Sequence, residues 1–417
     1  MERDDPEGKA GGEVRAMLRE GTRVGPRLRT HRRAGSPLGW ILAFALLAAV
    51  ATFLAAVPRS SAGLASGSDV ASGSSAGPAT DAAPARLADT GLYSDPATRT
   101  VAQENISYEP QYPLWSDGAV KRRWVHIPPG THIDASDPDH WQFPIGTRFW
   151  KEFSFDGRPV ETRFITRGDN GEWMYFAYRW NAEGTDAVLA PEQGIRSVVG
   201  IAPGVGHDIP SRYDCLACHE GRPERILGFT ALQLSSDRDP MAPHQQTPLP
   251  GALDLKGFVD RGWIAGLPED LVSHPPRVEA STPRERAALG YLSANCGICH
   301  NESGPLAQLG LSLEYSLGAV KGTRARALFT AVSRASRYQP SADPEAYSWR
   351  IAAGNPDKSL VVTRMSSRQP LLQMPPLGTN LVDSVAVALI RGWIRDDLGP
   401  RDVETFTKLH GTEDGSR

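Results

Sequence analysis

Phe149-Trp150-Lys151-Glu152-Phe153-Ser154-Phe155-Asp156-Gly157 is the stretch from which the fold is read. An aromatic-rich run ends in Asp-Gly, a pair that supplies a two-residue hairpin turn. Glu161 to Arg167 continues as a strand, Gly168-Asp169-Asn170-Gly171 turns, and Trp173 to Trp180 runs back. Upstream, Lys121 to Ile127 ends at Pro128-Pro129-Gly130, and Trp141 to Phe149 is a further segment for pairing. Several short strands at regular spacing predict a β-sandwich or barrel-like domain over residues 88–207. Its core is expected from Trp115, Trp124, Trp141, Trp150, Trp173, Tyr175, Phe176, Tyr178 and Trp180, since aromatic side chains dominate burial.

From residue 208 the texture changes to helical segments with Pro-rich joints. Ser281 to Ala294 opens with an N-cap and places Pro in the first turn. Asp383 or Ser384 caps a closing amphipathic segment, Val385 to Ile394. The half is also loosely repeated: Leu227-Gly228-Phe229-Thr230 matches Leu309-Gly310-Leu311-Ser312, Met241-Ala242-Pro243 matches Met374-Pro375-Pro376, and Arg261 to Ile264 matches Arg391 to Ile394. The fold class expected is therefore α+β. The β domain is followed by two mainly α-helical units, at 208–275 and 276–400, and a tail at 401–417.

The composition excludes some classes. The 417 residues are 40% hydrophobic and 22% charged, ordinary for a globular chain. Net charge is -3, and residues 66–417 carry 35 Lys/Arg against 42 Asp/Glu, which is no footprint for nucleic acid. The four cysteines are too few for a disulfide scaffold. All four fall in two motifs, Cys215-Leu216-Ala217-Cys218-His219 and Cys296-Gly297-Ile298-Cys299-His300.

That pattern points to covalently attached haem c. Two thiols add across the two vinyl groups, and the following imidazole meets the iron. Zinc and redox dithiols are the competing readings. A four-cysteine zinc ribbon separates its pairs by about 15–20 residues, whereas 77 residues lie between Cys218 and Cys296. A thioredoxin-like dithiol needs a βαβ context and no His after each pair. The cofactors expected are two haems c, with His219 and His300 as iron ligands.

The sixth ligand of the second haem is expected to be Met374, in the rigid loop Leu372-Gln373-Met374-Pro375-Pro376, and Met365 is expected in the core. For the first haem the repeat offers Met241, and His244 stands three residues on; His274 lies further away. An iron closed by no side chain is the third possibility.

Residues 1–37 form a polar N-terminus with Arg23, Arg27, Arg29, Arg32 and Arg33, followed at 38–58 by an apolar run of membrane-spanning length. The arginines predict a cytoplasmic N-terminus and an exported remainder, whether the run is an anchor or a cleaved leader. Residues 59–87, rich in Ser, Ala, Gly and Pro, read as a flexible linker. The expected location is the periplasm.

At the two haem motifs, the Met-Pro-Pro-Leu-Gly-Thr loop and the Gly-Trp-Ile segments, the chain resembles bacterial di-haem c-type cytochromes. More narrowly, it looks like an uncharacterised group with an N-terminal β domain followed by two cytochrome c-like units. Leu114-Trp115-Ser116-Asp117-Gly118-Ala119, Glu161-Thr162-Arg163, Gly290-Tyr291-Leu292 and Gln373 to Thr379 carry that narrower likeness. The resemblance implies electron transfer with periplasmic redox proteins or a dehydrogenase as partners. The alternative is an enzyme, a di-haem peroxidase or oxidase with an open or labile first iron.

Overall fold

The computed structural model describes residues 83–318, 323–338 and 349–399, all within a single compact unit. The polar N-terminus, the apolar run at 38–58, nearly all of the linker and the tail at 401–417 lie outside the described residues. Among those described, no helix is long and apolar enough to cross a membrane.

Strands β1 (Tyr93–Asp95) and β2 (Thr100–Val101) pair with each other ahead of the main sheet. That sheet is formed by β3 (Ile106–Ser107), β4 (Val120–His126), β6 (Arg148–Phe155), β7 (Arg158–Arg167), β8 (Trp173–Trp180) and β9 (Ala187–Leu189), antiparallel in the order given. Phe155 faces Arg158 across Asp156 (φ 50°) and Gly157 (φ 76°), both in the left-handed region that a two-residue hairpin requires. The short β5 (Ile133–Asp134) pairs in parallel with β12 (Ile264–Ala265), and β10 (Ile195–Ala202) forms a hairpin with β11 (Val205–Ile209).

Helices follow from residue 212: α1 (Arg212–His219), α2 (Leu255–Asp260), α3 (Glu269–Ser273), α4 (Pro283–Asn295), α5 (Thr323–Ala331), α6 (Leu360–Met365) and α7 (Ser384–Gly392). A π-helical turn, Trp393–Asp397, extends α7. Thr282 caps α4 through Glu285 N with Pro283 in the first turn, and Asp383 caps α7 through Ala386 N.

The expected sandwich or barrel followed by mainly helical cytochrome c-like units is overturned. Helices make up 23% of the described residues, and the dominant element is the six-stranded antiparallel sheet. Two physical reasons account for the difference. Residues 226–264 cover the sheet face that a second sheet would occupy, packing Ile226, Phe229, Leu234 and Phe258 against Val125, Phe143 and Phe149. The opposite face holds Trp124, Trp150, Phe164, Tyr178 and Trp180 under Leu87 and Leu92. Among the described residues beyond 208, α4 at 13 residues is the one α-helix longer than nine, apart from α7 with its π-helical extension. Pro223, Pro240, Pro243, Pro248, Pro250, Pro275 and Pro276 punctuate the rest. Each fixes φ and lacks the N–H that a helix needs, so the joints outweigh the helices. The repeated Arg-Gly-Trp-Ile phrase likewise takes two forms: Arg261 to Ile264 is a turn entering β12, and Arg391 to Ile394 is helical.

A third core joins the sheet side to the C-terminal helices. Tyr112 packs with Leu289 and Leu292 of α4, Leu328 of α5, Ile390 of α7 and Trp393. Gly290 lets the Tyr112 ring lie on α4, since a Cβ there would meet the ring at 2.1 Å.

Candidate functional site: two cavities at the Cys-x-x-Cys-His motifs

The first motif lies within α1, whose start is fixed by a capping box between Ser211 and Asp214. One helical turn separates Cys215 from Cys218, and His219 ends the helix. His219 Nδ1 lies 2.7 Å from the carbonyl oxygen of Arg225. A carbonyl can only accept, so Nδ1 carries the proton and Nε2 is left with a lone pair. Burial pushes the imidazole down to about 4, against the Arg225 hydrogen bond and aided by Arg163 and Lys151. The ring, 4.8 Å from that of Tyr175, is therefore neutral and oriented, as an iron ligand must be.

The second motif follows α4 directly, with Cys296 as its C-cap. Both Cys299 N and His300 N donate to the Cys296 carbonyl, at 3.1 and 2.8 Å, and this wraps the motif into one turn. His300 Nδ1 is buried and has no hydrogen-bond partner among the described residues. Burial, with Arg364 and Arg350 nearby, keeps this imidazole below its ordinary range.

Each motif opens on a cavity of about 490 Å³, within the ~300–1,000 Å³ range of cofactor sites. Cys215, Cys218 and His219 line the first; Cys296, Cys299 and His300 line the second. The cavities adjoin, since Trp115, Cys218, Asn295, Ile298, Arg368 and Pro375 border both. Arg368 donates from Nη2 to the Met365 carbonyl, while its Nε and Nη1 are buried without a partner among the described residues. A guanidinium so placed suits the carboxylate edge of a porphyrin.

The donor set fits haem better than the competing chemistries. All four thiols are free. Burial raises Cys218 to about 11 and Cys296 to about 12, opposite to what a zinc thiolate or reactive dithiol needs. No three His, Cys, Asp or Glu side chains among the described residues are grouped to hold a metal ion, whereas structural zinc takes four ligands. A porphyrin asks only two thiols and one or two axial ligands of each site.

Met374 and Met365 both line the second cavity, but Met365 is already packed in the third core, which leaves Met374 the freer sulfur. The structure does not bring Met241 or His244 to the first cavity. Met241 is 45% exposed, and His244 Nε2 lies 2.9 Å from both carboxylate oxygens of Asp383, with its ring against Trp115. His274 is exposed at the end of α3. Among the described residues, no methionine and no second histidine lines the first cavity.

Its wall is instead the inner sheet face, where Arg123 on β4, Lys151 on β6 and Arg163 on β7 line the cavity, with Lys121 beside them on β4. Arg123 lies opposite Lys151, and Lys151 opposite Arg163. Arg123 forks onto Glu109 at 2.9 and 2.8 Å, Arg163 holds Glu161 at 2.7 Å, and Lys121 donates to the Leu114 carbonyl at 2.7 Å. Lys151 makes no hydrogen bond or ion pair among the described residues; its Nζ lies over the Phe153 ring, 4.9 Å from the centroid. The strand pattern gave no signal for Lys151, because a lysine in an aromatic strand reads as a solvent-facing residue. Asp117 was also missed: its Oδ1 accepts from Asn380 N and Leu381 N at 2.8 Å, tying the loop after Met374 to Trp115.

No family model, curated protein or solved structure matches the chain.

Proposed function

We propose that this chain is a periplasm-facing di-haem c-type cytochrome that passes single electrons between redox partners. One observation carries the reading: each Cys-x-x-Cys-His motif opens on its own cavity with a half-buried imidazole beside two free thiols, and the two cavities share a wall. Haem supplies a one-electron change at iron when bound. Cys215 and Cys218 would hold one porphyrin and Cys296 and Cys299 the other, each thiol adding its S–H across a vinyl group. His219 and His300 would present their Nε2 lone pairs, and Met374 a thioether to the second iron. Trp115 and Arg368, bordering both cavities, leave little protein between the centres. Export rests on the arginine-flanked apolar run at 38–58.

The test is maturation of the full chain in a periplasm equipped for haem attachment. Pyridine haemochrome and intact mass should give two haems per chain, and Cys218→Ala or Cys299→Ala should impair attachment at one site only. Zinc without haem would overturn the proposal. A second reading, a peroxidase or oxidase, is favoured by the absence of Met and a second His from the first cavity.

A further inference from the structure

The first cavity holds His219 on one side and needs, for electron transfer, a group that closes the iron on the other. Its wall includes four tyrosines, several acids and arginines, and one lysine. The tyrosines are engaged or suppressed. Tyr112 donates to Asp239, Tyr175 lies 3.4 Å from the Arg225 carbonyl, and Tyr315 is bonded at Arg277. Tyr108 is wedged edge-on against Phe149 and Phe229, and burial raises its hydroxyl, which keeps the phenol protonated. Guanidinium is no iron ligand. Lys151 remains.

Resting on the haem reading of the first motif, we propose that Lys151 is the sixth ligand of the iron held by His219. Its ammonium stands between the side chains of Arg123 and Arg163 across the strands, a row of like charges that destabilises a sheet unless something relieves it. Both neighbours have their own carboxylate; Lys151 has none. It lines the same cavity as His219. Burial, Arg123, Lys121 and Arg163 all favour its neutral form, which carries the lone pair that iron takes; the proton passes to solvent water as the bond forms.

A porphyrin carboxylate is the competing partner for this lysine, and the position of Arg163 argues against it. Arg163 lies opposite Lys151 and lines the cavity together with Cys215 and Cys218. The thiols mark the vinyl edge, which is opposite the carboxylate edge, and Arg163 and Lys151 share the cavity wall with those thiols. Arg368, with two unpartnered nitrogens, is the better match for the carboxylates.

The experiment uses the full chain matured in the periplasm, with haem content fixed first by pyridine haemochrome. Wild type should be low-spin at both irons and bind no carbon monoxide when reduced. Lys151→Ala should turn one haem per chain high-spin and open to carbon monoxide, and Lys151→Arg should do the same, because charge without a lone pair does not ligate. Lys151→Met should restore a low-spin iron and add a second sulfur-to-iron band. Two haems with unchanged spin state in Lys151→Ala, or a wild type already high-spin at this site, overturns the lysine assignment alone. So does a shift of potential in Lys151→Ala that Lys151→Arg rescues, since that marks a carboxylate partner. A wild-type chain without haem overturns the underlying reading, and the assignment with it.

Discussion

Gly221 lies against Ile298: a Cβ on the glycine would sit 2.1 Å from the isoleucine carbonyl oxygen, and Asn301 Nδ2 donates to the Gly221 carbonyl at 3.0 Å. Two residues past the first motif and the middle of the second are thus in direct backbone contact, although 76 residues lie between Gly221 and Ile298 in the chain.

Gly221→Ala should therefore part the motifs. Overpacking of this kind costs about 1–3 kcal/mol. Thermal unfolding should show the loss, and a redox titration should show weaker interaction between the two haems. An alanine variant with unaltered melting and titration would mean that the contact is loose.

Arg225 holds its carbonyl toward His219 from the left-handed region, at φ 57°. Arg225→Gly should keep the geometry. Arg225→Val should destabilise by roughly 1–2 kcal/mol and weaken the Nδ1 hydrogen bond. An imidazole without that acceptor donates less to iron, so the first haem's potential should rise in the valine variant and stay in the glycine one. Spectroelectrochemistry reads both.

Met374→Ala should abolish the second haem's share of the weak sulfur-to-iron absorption near the red edge and lower that haem's potential. Met365→Ala should instead cost stability, about 2–5 kcal/mol for a buried methionine, with the absorption kept. The reverse pattern would move the ligand to α6.

Arg368 borders both cavities, so Arg368→Gln should lower both potentials, because a nearby positive charge favours the reduced iron. A change at one haem alone would place the guanidinium on one side of the shared wall.

His140 Nδ1 is 3.0 Å from Glu224, with Asp137 and Glu314 also facing it, and the Glu224 hydrogen bond raises its affinity for a proton. A group raised in the folded state contributes stability that is complete below its unfolded value, about 6.5, and is lost as pH climbs through the folded value. Melting temperature should fall over that window, and His140→Gln should flatten this part of the profile. A parallel slope in the variant would assign the effect to another group.

The strands were legible because aromatics on both faces and an Asp-Gly turn leave one reading of residues 148–180. The motifs were legible because their spacing is chemical. The C-terminal architecture was not, since proline-rich loops and short helices share a composition with bundles. Met241 drew attention by its place in a repeat whose closing phrase folds in two ways. Lys151 escaped it because which strand face meets a cavity is decided by residues 212–233, far along the chain.

The wall of the first cavity draws on side chains from Tyr108 to Asn380. Such an enclosure does not exist until nearly all of the chain up to Asn380 is in place, whereas the thiols of Cys215 and Cys218 emerge well before it. On the proposed haem reading, attachment at the first motif would therefore meet an open chain, and β-strand, motif and distal loop would close over the porphyrin afterwards. A chain truncated before residue 370 should still acquire its first haem, yet hold it exposed to solvent and to protease.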